Sequence, residues 1–233
     1  MTHQAGGPLR LYSGPLSMFG AKVQIAALEK GLDTELIMVP FSMTLLYQPK
    51  HPEVYRINPK RQVPVLVHGE LELFDSTQIF EYLEELQPQP PLWPQAPVDR
   101  ARARLLEHQS DEVYFPPIVR LMGLQDRPRE LTAVAAREAT AMYHGKMEGL
   151  LADRDYLAGP YSFADIAFYM AQLFGDRMGA AMDDSTPRLQ AWRERISRRP
   201  AVRQVAGAMA SYLLSQGRNL PPFMVALLPS TRA

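Results

Sequence analysis

The segment Asn58–Ile79, NPKRQVPVLVHGELELFDSTQI, decides the fold of this chain. It contains two short strand-forming runs, VLVH and LELF, which are separated by a turn at Gly69. The Val63-Pro64 step stands at the head of the first strand, where proline is tolerated although it cannot donate to the ladder. The Asp75-Ser76 pair follows the second strand and is typical of a helix start. The segment therefore predicts a strand–turn–strand–helix unit.

The two ends of this unit offer complementary groups to a small zwitterionic peptide. A cis Val63-Pro64 bond is expected in a tight turn here. Such a turn leaves the N–H and C=O of Val63 available to an extended ligand. The helix that begins after Asp75 presents backbone N–H groups and its positive dipole end to a carboxylate. The Asp75 carboxylate itself can bind an ammonium group of the same ligand.

Composition excludes several classes of function. The chain has 233 residues, enough for one large domain or two modest ones. Its 25 Lys and Arg residues balance 25 Asp and Glu residues, and a zero formal charge argues against a nucleic-acid-binding surface. The chain has no cysteine, which excludes thiolate metal sites, a protein thiol nucleophile and a thioredoxin-type disulfide reductase. Its five histidines are scattered, so we expect no metal.

No targeting or membrane-spanning segment is expected from the sequence. The start, MTHQAGGPLR, lacks the apolar core of a secretory signal. No window reaches the roughly 20 apolar residues that a membrane span needs. A cytoplasmic location follows by default.

The segments before and after Asn58–Ile79 predict an α/β domain. Residues 9–12 and 35–39 are strand-like, and residues 17–30 form an amphipathic helix that Gly31 ends. Residues 41–57 are expected to be irregular, and a helix is expected over Thr77–Leu86. The order βαβ-loop-ββα implies a mixed sheet with helices packed against it.

A proline-rich linker separates this domain from a helical one. Residues 88–97, PQPPLWPQAP, contain five prolines and cannot form a helix or a central strand. The expected domains are therefore residues 1–87 and residues 98–233, the second all-helical and ending in an irregular tail after Gly217. The predicted helices are Val98–Met122 (interrupted at Pro116-Pro117), Arg129–Ala152, Phe163–Met178, Pro187–Arg198 and Pro200–Gln216.

One of these helices carries a clear start signal. Ser162 and Asp165 have the spacing of an S-x-x-D capping box. Tyr161 and Ile166 occupy the two positions of a hydrophobic staple around it. This pattern predicts a well-defined helix start and is a folding signal, not a catalytic one.

At these residues the chain resembles the glutathione S-transferases. The family pattern NP-x-x-x-VP-x-L followed by (E/D)-S-x-x-I reads here NPKRQVPVL and DSTQI, and the family pattern G-x-x-(S/T)-x-A-D reads GPYSFAD at residues 159–165. The resemblance covers most of residues 9–215. It implies a thioredoxin-like glutathione-binding domain followed by an all-α domain, assembly as a homodimer, and detoxification chemistry. It further implies glutathione as co-substrate and a hydrophobic electrophile as its partner.

Such an enzyme must form a thiolate at neutral pH. A free thiol with a pKa near 8.5 is only about 3% ionised at pH 7. Lowering that pKa by two pH units requires roughly 2.7 kcal/mol, which is of the order that one hydroxyl donor at a helix N-terminus supplies. The stretch LYSGPLSMFGAKV resembles the S-P-F-x-x-K-V form of serine-type, theta-, tau- or beta-like members, with Met18 where proline is usual. Ser17 falls on the matching serine, and Ser13 and Tyr12 are the alternatives; Tyr12 also fits a strand residue that faces the core.

The remaining site residues follow from the same resemblance. Lys50, in KHPEVYRINP, is similar to a family lysine that contacts the glycine carboxylate of glutathione, and a solvated loop lysine is the alternative. Arg61 stands where the family commonly has glycine. The electrophile pocket is expected on the long helix after the linker. The implied glutathione contacts are Lys50, Gln62, Val63, Pro64, Asp75 and Ser76, and the implied pocket residues are Tyr114, Phe115 and Arg120.

The sequence therefore predicts a glutathione transferase whose thiolate attacks an electrophilic carbon. A glutathione-dependent isomerase or dehalogenase would share the whole glutathione site. From another class, a non-catalytic binding or regulatory module could keep the same fold.

Overall fold

The computed structural model describes residues 7–228, which divide by contacts into two compact units. The first unit contains the residues up to Pro90 together with those from Ala201 onward, and the second runs from Pro91 to Pro200. This grouping places the last helices with the first unit, whereas the proline pattern assigned them to the second domain. The boundaries at residues 87 and 98 therefore stay a prediction.

Within residues 7–228, four strands form one mixed sheet in the order β2-β1-β3-β4. The first two strands pair in parallel, and the other two neighbouring pairs are antiparallel. This confirms the expected thioredoxin-like sheet. The strands are β1 (Leu9–Ser13), β2 (Thr34–Met38), β3 (Val65–His68) and β4 (Leu71–Phe74).

Three helices of the first unit pack against this sheet, namely α1 (Met18–Glu29), α2 (Pro52–Ile57) and α3 (Ser76–Leu86). On one face, a cluster of buried residues joins α1 and α3 to the sheet, and on the other face a second cluster joins α2. Full burial of a Val, Leu or Ile side chain in these clusters contributes roughly 1.5–3 kcal/mol. The first cluster is Leu9, Leu11, Val23, Ala27, Leu66, Ile79 and Leu83, and the second is Tyr12, Val39, Val54, Val65 and Val67.

The second helix was not expected, because residues 41–57 were predicted to be irregular, and that prediction is wrong for Pro52–Ile57. His51 caps this helix, since its Nδ1 accepts a hydrogen bond from the Glu53 N–H at 3.2 Å. Proline at the first helical position loses no hydrogen bond and has a suitable φ. The His-Pro-Glu sequence was therefore a helix start.

A buried lysine holds the beginning of the linker to the first unit. The Lys30 side chain is 0% exposed and forms an ion pair with Glu84. Its ammonium group also donates to the carbonyl oxygens of Gln87 at 2.7 Å and Pro90 at 3.0 Å. The charge is thus fully satisfied, as a buried ammonium must be, and the first linker residues are fixed.

The second unit is all-helical among its described residues, as predicted. A π-helical turn, Ser110–Tyr114, precedes the two prolines at which an interruption was expected. The Phe115 N–H bonds to the Ser110 carbonyl, and the two prolines follow directly in the first turn of the next helix. The helices are α4 (Pro97–Gln109), α5 (Phe115–Met122), α6 (Leu131–Leu150), α7 (Phe163–Arg177) and α8 (Pro187–Ser197).

The predicted capping box is present at the start of α7. Asp165 is buried and accepts hydrogen bonds from the Ser162 N–H at 3.0 Å and the Leu157 N–H at 2.9 Å. The Ser162 hydroxyl and the Trp192 indole N–H donate to the same carboxylate, at 3.1 Å and 2.9 Å. Burial raises the pKa of Asp165 to about 6, although these four donors favour the ionised form. This carboxylate thus joins α7, α8 and the preceding loop.

The chain returns to the first unit with α9 (Pro200–Ser215) and a short α10 (Pro222–Val225). The prediction of no regular structure after Gly217 is wrong for α10, which again begins at a proline. The tail lies against α9 at Gly207, where an added Cβ would stand 2.6 Å from the Leu227 carbonyl oxygen. Tyr212 of α9 donates to the carbonyl of Phe41 at 3.4 Å, within the same unit.

Candidate active site

The register of the sheet gathers three predicted segments at one end. Tyr12, near the end of β1, pairs with Val65, which begins β3. Val65 in turn pairs with Phe74, which ends β4. Pro64 and Asp75 therefore lie at the same end of the sheet as the C-terminus of β1. The Val63-Pro64 turn, the Asp75-Ser76 pair and the loop from β1 to Ser17 come together there.

Ser17 is the N-cap of α1 and has an extended backbone conformation. Its Oγ accepts a hydrogen bond from the Gly20 N–H at 3.0 Å, and its own N–H bonds to the Gly14 carbonyl at 3.1 Å. The residue is 8% exposed. Among residues 7–228 no acceptor engages the Ser17 hydroxyl proton. The hydroxyl can therefore cap the helix as an acceptor and still donate to a ligand.

The two alternative donors are buried. Ser13 is 0% exposed, and its Oγ accepts a hydrogen bond from Gln24 Nε2 at 2.8 Å. Tyr12 faces the core, and its ring centroid lies 5.1 Å from that of His51. Ser13 is fully buried and Tyr12 is 5% exposed, so Ser17, at 8%, is the least buried of the three, and its role stays a prediction.

The Val63-Pro64 bond is cis, as predicted. Pro64 is buried and Val63 half-buried, and within residues 7–228 no backbone hydrogen bond of Val63 is present. Gln62 is exposed, and its backbone carbonyl accepts a hydrogen bond from Asn58 Nδ2 at 2.7 Å. Arg61 adopts a φ of 55°, a left-handed conformation that explains why glycine is common at this position in the family pattern.

Asp75 combines a helix cap with a strained backbone. Its φ of 74° and ψ of 124° lie in a region that residues other than glycine rarely adopt. Its Oδ1 accepts from the Thr77 N–H at 3.1 Å and the Gln78 N–H at 3.3 Å. Ser76, the first helical residue, is buried. The capping role is thus present, and strain of this kind is concentrated at functional sites in proteins.

Lys50 lies in the loop between β2 and α2 and is half-buried. It makes no hydrogen bond or ion pair with the rest of residues 7–228. Its neighbour His51 contacts Tyr12, which places the Lys50 backbone near the end of β1. The ammonium group is therefore available to a carboxylate, and its contact with glutathione stays a prediction.

The expected pocket residues lie in the second unit and differ in exposure. Tyr114 is 1% exposed, and its hydroxyl is hydrogen-bonded to His144 Nε2 at 2.7 Å. Phe115 is half-buried and stacks on Phe174 with centroids 5.6 Å apart, whereas Arg120 is exposed. Tyr114 is thus a core residue in this structure and could contact a ligand only after rearrangement.

Burial also controls protonation around Tyr114. Desolvation lowers the pKa of His144 to about 4, so this imidazole is neutral at pH 7. Desolvation raises the pKa of Tyr114 well above its usual value. An added Cβ at Gly175 would lie 2.9 Å from the Tyr114 hydroxyl, so glycine is what admits that ring to α7.

Four residues near the serine loop were missed by reading the sequence: Gly14, Gly20, Gln24 and Tyr47. An added Cβ at Gly14 would lie 2.2 Å from Tyr47 Cε1, and one at Gly20 would lie 2.0 Å from Ser13 Oγ. The available signal was Gly20 in the first turn of α1. Glycine lowers helix stability, so its presence there indicates that another group packs closely against the helix.

Residues 7–228 contain no group of three or more His, Asp or Glu side chains placed to hold a metal ion. In the same part of the chain, no helix is both long and apolar enough to cross a membrane.

Two family models match the chain. The model for the glutathione S-transferase N-terminal domain matches residues 11–91. The model for the glutathione S-transferase C-terminal domain matches residues 111–200. Together they cover more than half of the chain.

Two relatives with other names are also similar. A stringent starvation protein A homolog of Coxiella burnetii is 37% identical over 109 residues, so the chain matches about half of that protein: 46% of this chain and 48% of the relative are aligned. The FtsZ-localized protein A of Caulobacter vibrioides is 29% identical over 210 residues, which cover 84% of this chain and 89% of the relative.

A solved structure agrees with the fold. The crystal structure of a glutathione S-transferase from Rhodospirillum rubrum F11 superposes with a TM-score of 0.78 at 27% sequence identity. The superposition covers 94% of this chain and 99% of that one.

Proposed function

The chain belongs to the glutathione S-transferase family, and we propose that it is a glutathione transferase whose Ser17 hydroxyl activates the thiol of glutathione. The observation that carries the proposal is the hydrogen bonding of Ser17. Its oxygen accepts from the Gly20 N–H, and its proton is left for an incoming acceptor. A thiolate sulfur at the N-terminus of α1 is such an acceptor.

The chemistry requires the thiol to ionise near neutral pH. A hydroxyl that donates to the sulfur favours the charged form, because the neutral thiol is a weaker acceptor. The positive end of the α1 dipole acts in the same direction. The thiolate then attacks an electrophilic carbon by addition or displacement. The hydrophobic electrophile and its contacts with Phe115 and Arg120 are part of the proposal.

The peptide portion of glutathione is held by the two other segments at this end of the sheet. Val63 supplies a backbone N–H and C=O that have no partner within residues 7–228, and Asp75 supplies a carboxylate whose Oδ1 is used in the cap. The second carboxylate oxygen of Asp75 can bind the ammonium group. The Ser76 N–H and hydroxyl, together with Lys50 and Gln62, are proposed to bind carboxylate and amide groups of glutathione.

Titration of bound glutathione tests the proposal. The ultraviolet absorbance of the thiolate is followed against pH with the protein in excess. We expect ionisation of the bound thiol below the free-thiol pKa of about 8.5, and conversion of a generic aryl halide. Glutathione that titrates like the free thiol in the presence of saturating protein would refute the assignment.

A second candidate function is a binding or regulatory module that retains the fold without turnover. It is favoured by the similarity to relatives named stringent starvation protein A homolog and FtsZ-localized protein A. Glutathione binding without turnover of any electrophile in a broad screen would support it. A glutathione-dependent isomerase or dehalogenase would instead give turnover with its own substrate class. A homodimer and a cytoplasmic location complete the proposal, and sedimentation at micromolar concentration tests the dimer.

A further inference from the structure

The residue that follows Ser17 departs from the sequence pattern that this loop resembles. Met18 stands where the S-P-F-x-x-K-V form has proline. Proline has no backbone N–H, whereas Met18 carries one at the first helical position of α1. The start of α1 therefore has a hydrogen-bond donor that the proline form lacks.

The N–H of Met18 is unpaired, although the N–H groups of nearby residues are bonded. The Ser17 N–H bonds to the Gly14 carbonyl at 3.1 Å, and the Gly20 N–H bonds to Ser17 Oγ at 3.0 Å. Within residues 7–228 the Met18 N–H has no acceptor. Met18 is only 5% exposed, and backbone N–H groups at buried residues are nearly always paired. An acceptor from outside the chain would complete the hydrogen bonding at this helix start.

The Ser17 hydroxyl and the Met18 N–H face the same end of α1. Ser17 is 8% exposed, and its hydroxyl proton also has no acceptor within residues 7–228. Its Oγ lies at the N-terminal end of the helix, because it accepts from the Gly20 N–H in the first turn. The N–H groups of a first turn point out of that same end. Two adjacent residues thus each offer an unpaired donor where the helix dipole favours negative charge.

We propose that the Met18 backbone N–H is a second donor to the sulfur of glutathione, beside the Ser17 hydroxyl. The thiol proton leaves to solvent, and the two donors then hold the thiolate at the start of α1. Hydrogen bonds to an ionised acceptor are stronger than bonds to a neutral one, so both donors favour the thiolate over the thiol. This inference rests on the proposed function and adds a catalytic main-chain group to it.

Met18→Pro removes this N–H and leaves the backbone conformation possible. Ser17 has a φ of −80° and a ψ of 112°, an extended conformation that suits the residue before a proline. Proline is also favoured at the first position of a helix. Met18→Pro is expected to raise the pKa of bound glutathione by roughly one pH unit in an ultraviolet titration of the thiolate.

Met18→Ala is the matched control, because it loses the methionine side chain and keeps the N–H. Its bound thiol should titrate as in wild type. Affinity for S-methylglutathione, which has no ionisable thiol, should be the same in wild type and both variants. Equal pKa values for Met18→Pro and Met18→Ala would overturn the inference, since the N–H would then have no effect on the sulfur.

Ser17→Ala, measured in parallel, separates failure of this inference from failure of the proposed function. If Ser17→Ala raises the pKa of the bound thiol and Met18→Pro does not, the Met18 donor is wrong and the proposed function stands. If wild-type protein leaves the thiol at its free pKa, both are wrong.

Nuclear magnetic resonance of the wild-type protein gives a second test that holds even if Met18→Pro does not fold. With isotopically labelled methionine, the Met18 amide signal is the one that disappears in Met18→Leu. In the glutathione complex, this amide proton should shift downfield with the same pKa as the bound thiol. A Met18 signal that does not respond to ionisation of the thiol would contradict the hydrogen bond.

Discussion

The backbone N–H of Gly20 donates to the Ser17 hydroxyl oxygen across 3.0 Å. This bond satisfies one of the N–H groups that a helix leaves unpaired at its start. It uses a lone pair of the oxygen and leaves the proton for a ligand. One hydroxyl thus serves both the stability of α1 and the proposed chemistry, and a substitution at Ser17 must be designed to separate the two.

Ser17→Ala should reduce turnover by one to several powers of ten, since each factor of ten corresponds to about 1.4 kcal/mol of transition-state stabilisation. Affinity for glutathione should change little, because the peptide contacts remain. The pH–rate profile should move towards the free-thiol pKa, as the sulfur has lost its donor. Steady-state kinetics over a pH series, with calorimetry for binding, measure all three effects.

Loss of the cap is a competing cause, worth about 1 kcal/mol of stability. Ser17→Asn can still cap α1 but places a different donor, so it should recover stability without recovering turnover. Tyr12→Phe is the matched control for a buried hydroxyl and should retain activity. Full activity of Ser17→Ala with an unmoved pH profile would show that another group activates the thiol.

Asp75→Ala should weaken glutathione binding by roughly 1–3 kcal/mol, because the ligand ammonium loses its charged partner. The same change removes the cap of α3 and should lower stability. Asp75→Asn separates these effects, since its oxygen can still accept from the Thr77 N–H and asparagine tolerates positive φ. We expect Asp75→Asn to fold as stably as wild type and to bind glutathione weakly in calorimetry. Unchanged affinity in both variants would place the ammonium site elsewhere.

Asp165→Ala should destabilise the protein by roughly 3–5 kcal/mol, because several buried donors each lose their acceptor. These include the indole N–H of Trp192 and the backbone N–H groups of Leu157 and Ser162. Chemical denaturation followed by circular dichroism measures the loss. Asp126→Ala, at an exposed carboxylate, is the control and should change stability by less than about 0.5 kcal/mol. A similar result for the two variants would contradict the assigned network.

His144 should make stability depend on pH below neutrality. Burial lowers the pKa of His144 from 6.5 to about 4 in the folded state. Between these values the unfolded chain binds a proton that the folded protein does not, so stability is complete above pH 6.5 and falls as the pH drops towards 4. The loss attributable to His144 is about 3 kcal/mol. Denaturation of wild type and His144→Gln from pH 7 to pH 4 measures it as the difference between the curves.

The difference is needed because Asp165 acts in the opposite direction. Its pKa is raised to about 6, so its contribution to stability grows as the pH falls from 6 towards 3.8. His144→Gln keeps an acceptor for the Tyr114 hydroxyl and removes the titration. The exposed His108→Gln is the control, and its curve should parallel that of wild type. Parallel curves for His144→Gln as well would mean that His144 is protonated normally in the folded protein.

Much of the fold follows from local pattern. The strand-forming runs LELF and VLVH, the Gly31 stop and the capping box at Ser162 predicted elements whose ends agree with the structure to within one or two residues. Two short helices, α2 and α10, were not predicted, because each begins at a proline and proline usually ends a helix. A proline at the first helical position is a start signal only when the following residues pack, and packing is not a local property.

Some candidate site residues could also be predicted from local sequence patterns. Ser17, the Val63-Pro64 turn and Asp75 were identified because each occupies a fixed position relative to a strand or helix end. The sequence predicts Tyr114 as a pocket residue, since an aromatic on a helix has the same spacing whether it faces a cavity or the core. Only the contact with His144 and the space at Gly175 place it inside the second unit.

Most strand and helix boundaries and the family pattern could be read from the sequence, because they depend on neighbours within a few positions; the starts of α2 and α10 could not. Only the tertiary structure shows that Ser13 is completely buried while Ser17 is 8% exposed, and that Gln24 donates to Ser13 near the start of α1. Strand pairing also brought Pro64 and Asp75 to that same edge. Burial and register depend on residues far apart in the chain, so no local pattern encodes them.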